Sequence, residues 1–193
     1  KMKAIILAGG LGTRISEETH LKPKPMVEIG GKPILWHIMK RYSIFGINEF
    51  IICSGYKSHI IEDYFKERME NWKVNVVDTG SNTMTGGRLK RVEKYIENET
   101  FCFTYGDSLN NVDILNTIKF HKDKGKLATV TACHPPEKYG VLKLENDVVV
   151  DFEEKPERNN EWVNAGYFVL EPEVFELINN DSTIWEKEPL KEL

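Results

Sequence analysis

Apolar residues fall along this chain in short continuous runs, separated by stretches of helical spacing. Ala4–Ala8 is the first run, and it stops at Gly9-Gly10. Continuous rather than alternating apolar residues mark a strand covered on both faces. Phe50–Cys53, Val74–Val77, Phe101–Tyr105 and Ala128–Cys133 repeat that pattern. Helices are predicted between them. In Ile34–Phe45, the residues Ile34, Leu35, Ile38, Tyr42 and Phe45 lie near helical spacing, and Gly46 is a stop signal. Ile60–Phe65, Gly87–Ile96 and Val112–Lys124 are read as further helices. After residue 134 the texture changes. Gly140–Leu144 and Val148–Phe152 predict a hairpin about Asn146-Asp147, and a polar loop leads to the apolar run Tyr167–Leu170.

Strands alternating with helices predict an α/β fold with a mostly parallel sheet and helices on both faces. Such sheets bind ligands at the carboxyl ends of their strands. The polar signatures Gly9-Gly10, Gly55 and Gly106-Asp107 sit at those ends. No repeat, linker or low-complexity segment interrupts residues 1–193, so one domain is expected.

Composition narrows the function classes. A net charge of −4 leaves no broad basic field for nucleic acid, so an anionic ligand must meet a few placed cations. The first apolar run is far too short to span a membrane and no signal-peptide pattern follows it, which points to the cytoplasm. Cys53, Cys102 and Cys133 lack metal-ligand spacing and read as buried, reduced thiols. Trp36, Trp72, Trp162 and Trp185 read as core or pocket walls, and His37 and His134 have no evident ligand partners.

The densest chemical signal is Leu7-Ala8-Gly9-Gly10-Leu11-Gly12-Thr13-Arg14, followed by Lys22-Pro23-Lys24-Pro25. Glycines after a first strand let backbone N–H groups converge on phosphate oxygens. Thr13 adds a hydroxyl, Arg14 a planar cation, and Lys24 a cation stiffened by flanking prolines. The glycine spacing is neither the dinucleotide fingerprint nor the P-loop. Other features are ambiguous by themselves. Asp107 could be a plain turn residue, Glu154-Lys155-Pro156 a charged loop, and Arg88, Lys90 and Arg91 a solvated helix face.

LAGGLGTR followed by KPKPM resembles the signature of the sugar-nucleotide pyrophosphorylases, a nucleotidyltransferase family. MTGGRLKR, YGD, EEKP and VNAGYFVL follow in the expected order. ISEETHLKPKPMVEIGGKPILWHIM, VDTG, TMTGGRLKR and TIWEKEPL narrow the likeness to its glucose-1-phosphate cytidylyltransferase branch. The resemblance implies a Rossmann-like core with a mixed, mostly parallel sheet. It implies cytidylyl transfer from CTP to glucose 1-phosphate with Mg²⁺, giving CDP-glucose for dideoxy sugars of surface polysaccharides, by a homo-oligomer. Carried over by residue, Leu7, Ala8, Gly9, Gly10, Leu11, Gly12, Thr13, Arg14 and Lys24 would bind the nucleotide. Thr85, Gly86 and Arg88 would lie at the base, and Asp107 would bind Mg²⁺. Tyr105, Gly140, Glu154, Lys155 and Asn164 would hold the sugar phosphate. Arg14, Lys24 and Asp107 would carry catalysis.

This chain departs from the family pattern in three places. The family's second metal-binding aspartate would fall beyond Leu193, the stretch between Phe65 and Trp72 is short, and Ser108 stands where glycine is expected. A lost C-terminal segment and part of a loop near 66–72 are therefore expected. The implied chemistry is in-line displacement at the α-phosphorus by a sugar-phosphate oxygen that is already ionised at neutral pH. It needs positioning and charge neutralisation rather than a general base. Two rivals stand beside it: a sister enzyme using UTP, dTTP or GTP, and a non-catalytic nucleotide-sugar-binding module. A dehydrogenase is disfavoured by glycine spacing.

Overall fold

The computed structural model describes residues 1–10, 22–66, 70–134, 141–153 and 162–193. A six-stranded sheet runs through it. Its strands are β1 (Ala4–Leu7), β4 (Glu49–Ser54), β5 (Lys73–Asp78), β6 (Phe101–Tyr105), β7 (Ala128–Cys133) and β10 (Val163–Leu170), in the order β5-β4-β1-β6-β10-β7. β1 pairs in parallel with both β4 and β6, and β4 in parallel with β5. β10 enters antiparallel between β6 and β7, which makes the sheet mixed.

The continuous apolar runs have the expected cause. All four residues of β1 are buried, because both faces of the sheet are covered. Ala4 and Ile6 enter one core layer, Ile5 and Leu7 the other. The first layer is closed by α1 (Ile34–Ile44), α2 (Ser58–Lys66) and α4 (Ile114–Lys124). On α1 the buried residues Leu35, Ile38, Met39 and Tyr42 follow helical spacing. The helix stops at Phe45, and Gly46 at φ +82° supplies the left-handed exit. Asp113 caps α4 by accepting from the Asn116 N–H, so that helix starts two residues later than its apolar pattern suggests.

The second layer is less regular. It contains α3 (Thr85–Arg91), a 3-10 turn at Glu93–Tyr95, another at Pro172–Leu177, and an irregular segment carrying the fully buried Trp185. The helix expected over Gly87–Ile96 is thus shorter and begins earlier. Gly86 and Gly87 weaken it, yet a Cβ on Gly86 would lie 2.8 Å from the Thr183 carbonyl oxygen and one on Gly87 2.6 Å from Asp181 Cα. Close packing of residues 181–183 on the helix explains both glycines. The short α5 (Glu188–Glu192) follows.

Two hairpins lie outside the main sheet. β8 (Val141–Glu145) and β9 (Val148–Glu153) turn at Asn146 and Asp147, both at positive φ, as the sequence suggests. β2 (Glu28–Ile29) and β3 (Lys32–Pro33) form a second hairpin, turning at Gly30 and Gly31, that the apolar pattern does not reveal. Two further expectations need correction. Cys133 is exposed, whereas Cys53 and Cys102 are buried, and burial pushes both of those thiols up to about 12. Trp162 is exposed as well. No helix among the described residues is long and apolar enough to cross a membrane.

Candidate active site

The chain runs from β1 to one side through β4 and β5, then returns through β6 to the other side of β1. That reversal opens a crevice at the carboxyl ends of β1 and β6. A cavity of about 650 Å³ occupies it, a size suited to a nucleotide. Leu7, Ala8, Gly9 and Gly10 form its floor. Lys24, Pro25 and Asp107 form one wall, and Ser81–Thr85 with Arg88 the other, with Tyr105 beside them.

The floor is held by hydrogen bonds that extend the sheet past its strands. The Ala8 N–H donates to the Cys53 carbonyl at 2.8 Å, and the Gly106 N–H to the Leu7 carbonyl at 2.7 Å. Beneath it lies the guanidinium of Arg88. Its Nη1 donates to the Ser54 carbonyl at 3.0 Å and to Thr79 Oγ1 at 2.8 Å, and its Nη2 to the Ser81 carbonyl at 3.3 Å. A Cβ on Gly9 would lie 2.0 Å from Arg88 Nη1, and one on Gly55 2.7 Å from it. A side chain at either position would have to displace this hydrogen-bonded cation, and at Gly55 it would also meet the Gly80 carbonyl oxygen at 2.8 Å. Arg88 is only 5% exposed, so it is a strut under the glycines rather than part of a solvated helix face. Burial holds its guanidinium below the ordinary value, although arginine stays charged at any physiological pH.

Lys24 opens the 3-10 turn Lys24–Met26, closed by the Met26 N–H on the Pro23 carbonyl at 2.8 Å. Pro25 and Met26 are buried and anchor the turn. Its ammonium forms an ion pair with Asp107, which sits two residues beyond β6. Both side chains keep part of their surface open to the cavity. Among the described residues no group of three or more His, Cys, Asp or Glu could hold a metal ion. Asp107 offers one carboxylate on a nucleotide-sized cavity. That suits Mg²⁺, which binds through one or two carboxylates together with substrate phosphates and water.

The opposite wall is tied to the C-terminal part of the chain. Met84 N–H donates to the Asp181 carbonyl, and Gly86 and Gly87 N–H to the Thr183 carbonyl. Arg91 makes a two-pronged bond to the Asp181 carboxylate at 2.6 and 2.9 Å. Glu186 accepts from Thr85 Oγ1 at 2.7 Å and from the Tyr105 hydroxyl at 2.5 Å. Burial, then the Glu186 bond, pushes the Tyr105 hydroxyl well above its ordinary value. The Asn164 Oδ1 accepts from the Gly166 N–H at 2.7 Å.

Thus Leu7, Ala8, Gly9, Gly10, Lys24, Thr85, Arg88, Tyr105 and Asp107 meet around one cavity. Gly86 lies behind the wall, against Thr183, and Asn164, on β10, is not among the residues that line the cavity. Leu11, Gly12, Thr13, Arg14, Gly140, Glu154 and Lys155 lie outside the described residues, as do residues 67–69 of the short stretch. The sequence assigns no role to Glu186 or Ser54, and it places Thr79 at the start of a base-reading loop that runs to Arg88, whereas the Thr79 side chain is buried and bonds to Arg88 and the Ser54 carbonyl. For Glu186 the segment TIWEKEPL was a signal of kinship, but nothing local in it indicates a partner a hundred positions away.

The family model described as "Nucleotidyl transferase" matches residues 3–191. The glucose-1-phosphate cytidylyltransferase of Salmonella typhi is 53% identical, over 100% of this chain and 84% of that protein. A probable glucose-1-phosphate cytidylyltransferase of Bacillus subtilis is 42% identical over the same shares. Among solved structures, HddC from Yersinia pseudotuberculosis superposes with a TM-score of 0.77 at 30% identity, covering 100% of this chain and 87% of that one.

Proposed function

The chain belongs to the nucleotidyl transferase family, and on that premise we propose that it transfers a cytidylyl group from CTP to glucose 1-phosphate, giving CDP-glucose and pyrophosphate. The observation that carries this reading is one cavity at the switch point, lined by glycines, Lys24 and Asp107, in a chain 53% identical to a cytidylyltransferase.

An oxygen of the sugar phosphate attacks the α-phosphorus of CTP, and the bond from that phosphorus to the departing pyrophosphate breaks. The attacking oxygen is ionised at neutral pH, so no side chain need remove a proton. What remains is to bring two polyanions together and offset their charge. The Gly9-Gly10 floor, with no side chain in the way and Arg88 beneath it, admits close approach of phosphates. Lys24 exchanges its bond to Asp107 for one to phosphate oxygens, which places a cation beside the transferring group. Asp107 would hold Mg²⁺, whose positive charge supplies Lewis-acid neutralisation of the triphosphate when bound. Arg14 and Lys155 are proposed as further cations at the two phosphates.

CDP-glucose made here would serve dideoxy-sugar synthesis for surface polysaccharide. The cytoplasm and a homo-oligomer complete the proposal, and light scattering of the purified protein tests the last. The reaction is tested by pyrophosphate release from glucose 1-phosphate and Mg²⁺, comparing CTP, UTP, dTTP, GTP and ATP. Release with CTP, lost in Lys24→Ala, is expected. Release with a different nucleotide overturns the base assignment, and binding of CTP without release with any of the five overturns the reaction.

A further inference from the structure

Two hydroxyl groups of the cavity wall come from distant parts of the chain and meet at one carboxylate. Tyr105 ends β6, Thr85 begins α3, and both hydroxyls donate to Glu186. A carboxylate only accepts, so the direction of both bonds is settled: each hydroxyl proton points at Glu186. The remaining valences can then be counted. Thr85 Oγ1 already accepts from the Trp185 N–H at 2.9 Å, which leaves it one lone pair. The Tyr105 hydroxyl spends its one proton on Glu186, so its oxygen also keeps acceptor capacity. Both oxygens belong to side chains that line the cavity.

Glu186 can play this part because its backbone is fixed. The neighbouring Trp185 is fully buried against Phe103 and Phe168. Residues 181–183 are bonded to α3 on the other side.

We propose that Glu186 is a positioning residue that commits the protons of Tyr105 and Thr85, so that both present acceptors to the cavity and select ligand groups that donate. Hydroxyls of a sugar or ribose and amino groups satisfy such a wall. A carbonyl or phosphate oxygen placed there meets a lone pair and is disfavoured. The identity of the donating ligands as glucose 1-phosphate and CTP rests on the cytidylyltransferase reading.

Glu186→Gln keeps the shape but brings an amide that donates, which turns at least one hydroxyl proton toward the cavity. Its KM for glucose 1-phosphate should rise about tenfold while kcat changes by no more than about threefold, the loss of one hydrogen bond between ligand and wall. CTP binding, followed by calorimetry without turnover, should weaken severalfold through Thr85. Tyr105→Phe should raise the same KM by a similar factor, and the double variant should be no worse than the more affected single one, since Glu186 acts on the sugar through Tyr105. The proposal is overturned if Glu186→Gln leaves both KM and the CTP Kd within about twofold of wild type. Multiplying effects in the double variant overturn it, as does a fall in kcat at unchanged KM, the mark of a smaller folded fraction. If the wild type binds CTP yet releases no pyrophosphate, the reaction is wrong, and an unchanged CTP Kd in Glu186→Gln then overturns the wall as well.

Discussion

The two faces of the central sheet are covered by different materials. On one, α1, α2 and α4 lay regular apolar stripes over β1, β4 and β6. On the other, a seven-residue helix, two 3-10 turns and the segment around Trp185 fill the space. The regular face holds the sheet together. The irregular face does that and also builds a wall of the cavity, since Thr85, Arg88 and Glu186 belong to it. The difference follows from backbone chemistry. Inside a long helix the N–H and C=O groups are used up, whereas a short helix and an open segment leave them available for contacts that do not repeat. Here Met84, Gly86 and Gly87 spend theirs on Asp181 and Thr183, which fixes the wall.

Substitutions can break that contrast. Trp185→Ala empties the centre of the irregular face and should cost about 3–5 kcal/mol in urea unfolding, with a weakened CTP affinity in the fraction that stays folded. Ile38→Ala on α1 should cost about 2–5 kcal/mol and leave the CTP affinity of the folded protein unchanged. Equal effects on affinity would erase the distinction between the faces. Lys24→Ala, which belongs to neither core, should lower kcat/KM by about 10²–10³ and shift the unfolding free energy by less than about 1 kcal/mol.

Smaller effects sharpen it. Gly9→Ala drives a methyl group toward the Arg88 guanidinium and should cost about 1–3 kcal/mol in urea unfolding, a cost that Gly10→Ala, whose methyl group meets no other protein atom, does not share, while both raise the KM for CTP because both put a methyl group on the cavity floor. The Arg91 bond holds the Asp181 carboxyl below its usual value of 3.8. Its contribution is therefore full above that value and fades as pH falls through the lower folded-state one. Asp181→Asn should flatten the drop in melting temperature below about pH 4, by a small amount because the pair is exposed.

Which parts of this arrangement could be read in the sequence follows the same division. The regular face was legible, because Leu35, Ile38 and Tyr42 advertise a helix to any reader of periodicity, and Ala4–Leu7 a doubly covered strand. Gly9-Gly10, Lys24 and Asp107 were legible as chemistry because they sit at strand ends or beside prolines. The irregular face was not. Arg88 looks like one of three surface cations until Ser54, Thr79 and Ser81 are folded around it. Glu186 and Thr85 are joined across a separation of 101 residues, which no local pattern encodes. The antiparallel insertion of β10 is equally silent, since an apolar run does not state its direction.

That long separation bears on how the molecule comes into being. The floor of the cavity joins β1, β4 and β6, all within the first 105 residues, and can assemble while synthesis continues. The wall on α3 closes only when residues 181–186 have left the ribosome and returned across the sheet, a late and entropically expensive contact. A nascent chain carrying the floor without that wall would present Gly9, Lys24 and Asp107 to nucleotides with nothing to hold Tyr105 and Thr85 in place. Competence to select a ligand is then acquired in one step, when residues 181–186 dock on α3, rather than built up strand by strand.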